Sequence, residues 1–333
     1  MVSPDSQLLA PVRPASPEAV AEAARLLTGG ALVVVPTETV YGLAARADDA
    51  GAVAAIFRAK GRPATNPLIV HVADVEHAQE FAAEWTPSAQ ALAAQFWPGP
   101  LTLVVQRRAG TVADAVTAGG STVALRCPAH PVMLELLRTW QLALAAPSAN
   151  PANYLSPTRV EHIQPSIRAH AKLVVDAGPC LYGIESTVVD CTSDSVRVLR
   201  AGSLTRAELS RVVTVCDTNA SNGDQQAVAR APGMQDKHYS PRCALGVLES
   251  AAFENRVSAR RSDGARIAAV RCGTQARHID DRVLVRDAAE YARELFSLLH
   301  DLDGGGFDEI LVEAPPSEPD WAGVGDRLRR AGG

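Results

Sequence analysis

PTETVYGLAARADDAGAVAAIFRAKGRPATNPLIVHV, residues 36–72, leaves one apolar strand, crosses a polar loop and a short helix, and enters another apolar strand. Leu32 to Val35 precedes it as an unbroken apolar run without alternation, the pattern of a strand covered on both faces. Pro36 stops that strand. Asp49 is placed to cap a helix with Val53, Ile56 and Phe57 inward and Gly61 at its end, so Lys60 and Arg62 fall on the helix end and the loop beyond it. Asn66-Pro67 keeps the approach to the Leu68 to Val72 strand extended. Between Gly51 and Ala73 there is no acid, while Arg58, Lys60 and Arg62 cluster and His71 follows. Charge of one sign calls for an anion such as phosphate or carboxylate. A solvated basic helix end that complements the helix dipole is the ordinary alternative.

Working outward, Ser16-Pro17-Glu18 starts a helix that Gly29-Gly30 ends, with Val20, Ala23, Ala24 and Leu27 on its apolar face. Two helices over Asp74 to Phe96, broken near Thr86-Pro87, lead to a turn at Pro98-Gly99-Pro100 and a strand from Leu101 to Gln106. Further strands are expected at 121–126, 142–146, 172–176, 186–191 and 196–200, with helices at 130–140 and 205–213. After a polar stretch a second alternation begins. Its strands are expected at 245–248, 267–271, 283–285 and 309–312, and its helices at 252–260, 288–301 and 325–330. The chain thus divides into a first domain (1–214), a linker (215–242) and a small parallel-sheet α/β domain (243–333). Gly304-Gly305-Gly306 joins helix to strand, the wrong order for a phosphate loop, and is a turn.

At 333 residues two domains are natural, because single cores rarely grow past about 250–300 residues. The 47% hydrophobic content makes the chain globular, and a net charge of −5 argues against indiscriminate coating of nucleic acid. The six cysteines are scattered without a C-x-x-C pair, which fits a reducing compartment and offers no metal-ligand spacing. No apolar run approaches the ~18 residues of a membrane span, and the N-terminus lacks signal-peptide character, so a cytoplasmic protein is expected. P-loop, dinucleotide-fingerprint, zinc-protease and serine-elbow motifs are all missing from the sequence.

Thr37-Glu38-Thr39, His71, Arg126, Ser148-Ala149-Asn150 and Glu185-Ser186-Thr187 are expected to share the C-terminal edges of apolar strands, where α/β sheets bind ligands. Lys60, Arg62 and Asn66 join from the loop. Such a pocket holds cations, hydroxyls and an amide but no side-chain nucleophile with a His-Asp partner. It suits transfer at phosphorus, where positioning and charge neutralisation supply most of the catalysis. Taken singly, several of these residues have ordinary structural roles: Thr39 in a turn, His71 as a buried hydrogen-bonded histidine, Ser148 and Asn150 as loop caps.

PTETVYGL, KGRPATNPLIVH, STVALRCP, PSAN, ESTVVD and VLRAGSL, in this order, resemble a YrdC-type domain. The later PGM…HYSP piece and the small α/β domain resemble the long, two-domain form of the threonylcarbamoyl-AMP synthase family. The resemblance runs from about Pro17 to Arg330. It implies a catalytic domain (1–214) built as an open, twisted mixed sheet with helices around a basic concave pocket, a linker (215–242) that carries Tyr239 and acts as a lid over the site, and a small Rossmann-like parallel-sheet domain (243–333). It also implies formation of threonylcarbamoyl-adenylate and pyrophosphate from L-threonine, bicarbonate and ATP. Magnesium would be held mainly through the ATP phosphates. Partner enzymes would then pass the group to the adenosine beside the anticodon of ANN-decoding tRNAs, with weak direct tRNA binding an open possibility. Carried onto this sequence, the resemblance assigns threonine to Thr39, His71, Arg126, Ala146 and Ser186. It assigns ATP to Arg62, Asn66, Thr122, Ser148, Asn150, Ser156, Arg200 and Tyr239, and it gives Lys60 and Arg62 the catalytic charge. Pro319 to Gly325 and Gln235-Asp236 depart from the family pattern. Two alternatives stay open here: a carbamoyl-adenylate-forming enzyme of the hydrogenase-maturation type, and a module that holds double-stranded RNA by shape.

Overall fold

The computed structural model describes residues 9–193, 195–216, 239–273 and 275–332. Most of the linker, including the Ala231 to His238 part of its motif and the lid role expected of it, lies outside those residues. Ten strands among the described residues form one mixed sheet. They are β1 (Val12–Pro14), β2 (Val33–Val35), β3 (Gly42–Arg46), β4 (Ile69–His71), β5 (Leu101–Gln106), β6 (Thr122–Arg126), β7 (Leu144–Ala145), β8 (Leu173–Asp176), β9 (Thr187–Asp190) and β10 (Arg197–Arg200). Their spatial order is β1-β8-β2-β3-β7-β4-β6-β5-β9-β10. The helices of this part are α1 (Pro17–Thr28), α2 (Ala50–Lys60), α3 (Val75–Phe81), α4 (Pro87–Phe96), α5 (Pro131–Arg138), α6 (Pro165–Arg168) and α7 (Arg206–Ser210).

Alternate strand residues face opposite ways, and each face has its own core. Val34, Leu43, Val70, Leu103, Leu125 and Val189 pack with α2 and α4. Val33, Val35, Ala44 and Leu144 pack with Val20, Ala24 and Leu27 of α1 and Met133 and Leu136 of α5. Register places His71 opposite Leu144 and Arg126 opposite His71, so these polar side chains belong to the second face, beyond the end of the α1–α5 layer.

The smaller sheet is parallel, ordered β11-β14-β12-β13, with β11 (Ala244–Leu248), β12 (Ile267–Cys272), β13 (Asp281–Leu284) and β14 (Glu309–Glu313). Helices α8 (Ser250–Ser262), α9 (Ala288–Asp303) and α10 (Ala322–Gly332) cover it.

Four expectations are corrected. GLAAR, read as loop, is β3; its alanines carry little strand preference, and pairing between β2 and β7 decides it. The third strand of the small sheet starts at Asp281, ahead of the apolar run, because Arg271 and Arg261 draw that carboxylate into the interior (both 2.8 Å). The last helix begins at Ala322 rather than Gly325, directly after a 3-10 turn over Pro319–Trp321 that buries Trp321. The fourth concerns the shared edge. β2 and β7 run opposite to β4 and β6, and Glu185-Ser186 precedes β9 instead of ending it. The polar pieces meet because loops fold across one sheet face.

Candidate active site

A cavity with about 560 Å³ of empty space lies on that face. Its lining includes Thr39, Arg62, His71, Arg126, Ala146, Ser148, Ser186, Arg200 and Tyr239, with Leu68, Ile69 and Val40 as apolar wall.

Arg126, at the end of β6, is fixed from three sides. Nε donates to Gly99 O (3.3 Å), Nη1 to Thr39 Oγ1 (3.0 Å) and Nη2 to Glu38 Oε1 (2.6 Å). Thr37 holds the Thr39 turn, accepting from Thr39 N (3.2 Å) and Val40 N (3.1 Å) and donating to Val40 O (2.6 Å). Burial alone would raise the Glu38 pKa; the Arg126 charge more than offsets this, and the carboxyl stays below its ordinary value. A guanidinium carries five N–H donors, three of which are used, leaving two for an anion. His71 is pushed down to about 3, first by burial and then by Arg126, and is therefore neutral. Its Nδ1 lies 3.4 Å from Leu144 O, an acceptor only, so Nδ1 carries the proton and Nε2 is an acceptor.

The loop after α2 behaves differently from its basic neighbours in sequence. Asp49 Oδ1 caps α2 at Ala52 N (3.0 Å), and Gly61 takes the left-handed conformation (φ 61°) that turns the chain. Arg62 then folds back, donating from Nε to Asn66 O (3.0 Å) and from Nη2 to Asn66 Oδ1 (2.6 Å) and Pro67 O (2.8 Å). Burial lowers its pKa to about 10, which keeps it charged at neutral pH. Lys60 lies outside the lining. Its Nζ donates to Ser148 O (2.5 Å) and Asn150 O (2.5 Å), with Asn150 Oδ1 at 3.3 Å. Burial, then Arg62, lowers its pKa well below the ordinary lysine value. The lysine thus clamps the Ser148–Asn150 loop to the end of α2.

On the opposite wall, Ser186 meets Thr102 Oγ1 (2.8 Å) and accepts from Arg200 Nη2 (3.2 Å). Glu185 lines the cavity, and its Oε1 accepts from Ser156 Oγ (2.5 Å). Its other oxygen takes Nε of Arg327 from α10 (2.6 Å). The same guanidinium lies 5.1 Å from the centre of the Tyr239 ring. Arg327 was missed by sequence reasoning. It sits in a basic run, Arg327, Arg329 and Arg330, that looks like any solvated helix end, yet its side chain is fully buried. Asn66, Asn150 and Ser156 stand one contact behind the lining, through Arg62, Ser148 and Glu185 respectively. Thr122 is apart from the group, paired with Gln106 at the far end of β6. Among the described residues no cluster of three or more His, Cys, Asp or Glu could hold a metal ion.

Fold and cavity together define an α/β protein with a pocket rich in guanidinium and hydroxyl groups on one face of a mixed sheet. A family model described as "Telomere recombination" matches residues 25–202, and the model for the C-terminal domain of threonylcarbamoyl-AMP synthase matches residues 204–333. The threonylcarbamoyl-AMP synthase of Pyrococcus abyssi is 37% identical over 93% of this chain and 93% of its own length. That of Bacillus subtilis is 34% identical over 94% and 93%. The crystal structure of Pyrococcus abyssi Sua5 complexed with L-threonine superposes with a TM-score of 0.87 at 35% identity, covering 96% of both chains. The chain belongs to the threonylcarbamoyl-AMP synthase family, and this full-length kinship disfavours both the hydrogenase-maturation and the RNA-module readings.

Proposed function

We propose that this protein joins L-threonine, bicarbonate and ATP into threonylcarbamoyl-adenylate, releasing pyrophosphate. The observation that carries the reading is the pairing, in one cavity, of two ligand environments. Around Thr39, His71, Arg126 and Ser186 there is a two-donor fork, a neutral imidazole acceptor and a hydroxyl, which suit an amino acid's carboxylate, amine and hydroxyl. Around Arg62, Ser148, Arg200 and Tyr239 there are two guanidiniums, a hydroxyl and a ring, which suit a nucleoside triphosphate. In the chemistry we infer, the threonine amine adds to the carbon of bicarbonate with loss of water, giving a carbamate. A carbamate oxygen forms the new bond to the α-phosphorus as the bond to the pyrophosphate oxygen breaks. Arg62 balances the developing charge. Lys60 acts through the Ser148–Asn150 loop that it holds, and Ala146 offers backbone to the amino acid. Thr122 has a nucleotide role only if the triphosphate extends along β6.

Among the described residues no cluster forms a cage for magnesium, and we assign the ion to the ATP phosphates and derive no step through it. We further propose the division into a catalytic domain (1–214), a linker (215–242) that brings Tyr239 to the cavity, and a small domain (243–333). No helix among the described residues is long and apolar enough to cross a membrane. A cytoplasmic location, downstream threonylcarbamoyl-transfer proteins and weak tRNA contact belong to the same proposal. The test is incubation with labelled ATP, bicarbonate and magnesium, with and without threonine. Threonine-dependent release of pyrophosphate and an adenylate seen by mass spectrometry are expected. No release, or release indifferent to threonine, overturns the reading.

A further inference from the structure

The small domain is more than a neighbour of the cavity. Its α10 inserts Arg327, fully buried, against Glu185, and the guanidinium also donates to Ala201 O (2.8 Å) and Asp326 Oδ2 (2.8 Å). Glu185 uses its second oxygen to hold the Ser156 hydroxyl. From α9, His300 Nε2 donates to the Ser156 carbonyl (3.1 Å) while its ring stacks on His162 at 4.1 Å. Ser156 is therefore gripped twice from the other domain, at its hydroxyl through Glu185 and at its backbone directly. Arg327 also faces the Tyr239 ring, which is buried in the same wall. On the amino-acid side, Ser186 has its own support from Thr102 and Arg200 and takes no bond from the small domain.

We propose that Arg327 is a positioning residue for the nucleotide half of the cavity, acting across the domain boundary by clamping Glu185, which orients Ser156, and by backing the Tyr239 ring. The small domain thereby completes the ATP side through side chains and reaches the threonine side only at the backbone before Ser186, where Arg327 Nη2 donates to Glu185 O (3.4 Å). This rests on the synthase reading for its assignment of the two halves.

The experiment uses the full chain. ATP and threonine affinities are measured by calorimetric titration, and KM for each by pyrophosphate release. Arg327→Ala is expected to weaken ATP about tenfold or more, the scale for losing a residue that orients a site group, with threonine changed less than about twofold. Glu185→Gln combined with Arg327→Gln restores a neutral hydrogen-bonded pair and is expected to recover most of the ATP affinity. Arg329→Ala, on the exposed face of the same helix, is the control and is expected to alter neither. Equal weakening of ATP and threonine, or unchanged ATP affinity, overturns the inference. If Arg327→Ala does not fold, Arg327→Lys replaces it: the charge stays but the fork is lost, so ATP alone should weaken severalfold, and unchanged affinity is again fatal. Calorimetry needs no turnover. A wild-type protein that fails to release pyrophosphate would therefore refute the proposed function while this test still gave its own answer.

Discussion

Arg126 is asked to be both a buried structural cation and a ligand fork, and Glu38 is what reconciles the two. The pair is 2.6 Å apart, with side chains only 4% and 5% exposed. Removing one partner from such a pair costs about 3–5 kcal/mol, because the remaining charge stays buried. Glu38→Ala is therefore expected to lose stability on that scale in urea unfolding; a loss below about 1 kcal/mol, the value of an exposed pair, would show that water reaches Arg126. His71 gives a pH signature. Its pKa falls from 6.5 unfolded to about 3 folded, so between those values the unfolded chain binds the extra proton. Stability is full above pH 6.5 and falls as pH drops towards 3, by about 1.4 kcal/mol at pH 5.5 from this residue. His162 and His300, each lowered to about 4 chiefly by burial, act with the same sign. Unfolding midpoints measured from pH 8 to 5 should decline below 6.5, and less steeply in His71→Asn; identical slopes would contradict a neutral native His71. Arg62 and Lys60 separate by mechanism. Arg62→Ala is expected to reduce kcat/KM by more than the roughly 1.5–3 kcal/mol of one charged hydrogen bond. Lys60→Ala strands the carbonyls of Ser148 and Asn150 and is expected to lower both melting temperature and turnover.

At the scale of elements, two glycines permit close backbone approaches, Gly183 to α9 and Gly202 to the segment entering β9. A Cβ on Gly183 would sit 2.4 Å from Arg293 Cα on α9, and one on Gly202 would sit 2.4 Å from Thr187 N and 2.5 Å from Glu185 O. Neither neighbour is a side-chain end that could swing away. Gly202→Ala must displace the backbone that presents Glu185 and Ser186, so loss of turnover with about 1–3 kcal/mol of stability is expected, against near-normal behaviour for Gly325→Ala in α10, where an added Cβ meets nothing within 4 Å. Assays and melts on the two variants side by side check this. Such contacts mark where the sequence was legible and where it was not. Ser16, Asp49 and Thr86 bond the helix starts they were expected to cap or mark, because capping is local chemistry written in a few adjacent residues. Of the polar motifs, Thr39, Arg62, His71, Arg126, Ser148 and Ser186 line one cavity, while Lys60, Asn66 and Asn150 lie outside its lining. β3 and Arg327 stayed hidden because their states are set by partners remote in sequence: an alanine-rich strand by its neighbours, and an arginine by a glutamate 142 residues away. Strand direction was hidden for the same reason, which is why the site was sought at an edge and lies on a face.

For the whole molecule, the question is whether the first sheet is a finished enzyme. Its apolar faces are filled from its own helices, and no residue of the small domain belongs to either of its main cores. By hydrophobic burial alone it could fold without the rest of the chain. Its cavity is another matter. Leu155 and Ile184 are buried in a cluster made mostly of small-domain residues, including Phe296, Tyr291 and Leu328. Tyr154 donates to Asp303 (2.7 Å), and Gly183 abuts α9. The 154–156 and 183–186 loops thus take their shape from both sides. A chain ending at Cys216 keeps the bridge between Val196 and Val215 and is expected to retain sheet structure by circular dichroism. In it Glu185 loses the ion pair with Arg327. Ser156 loses both its grips from across the boundary. Weakened ATP binding with threonine binding largely kept is the expected result of titrating the shortened protein with each substrate. Turnover and ATP affinity equal to the full chain would mean that the loops hold their shape alone, and that the second domain serves some purpose other than completing the site.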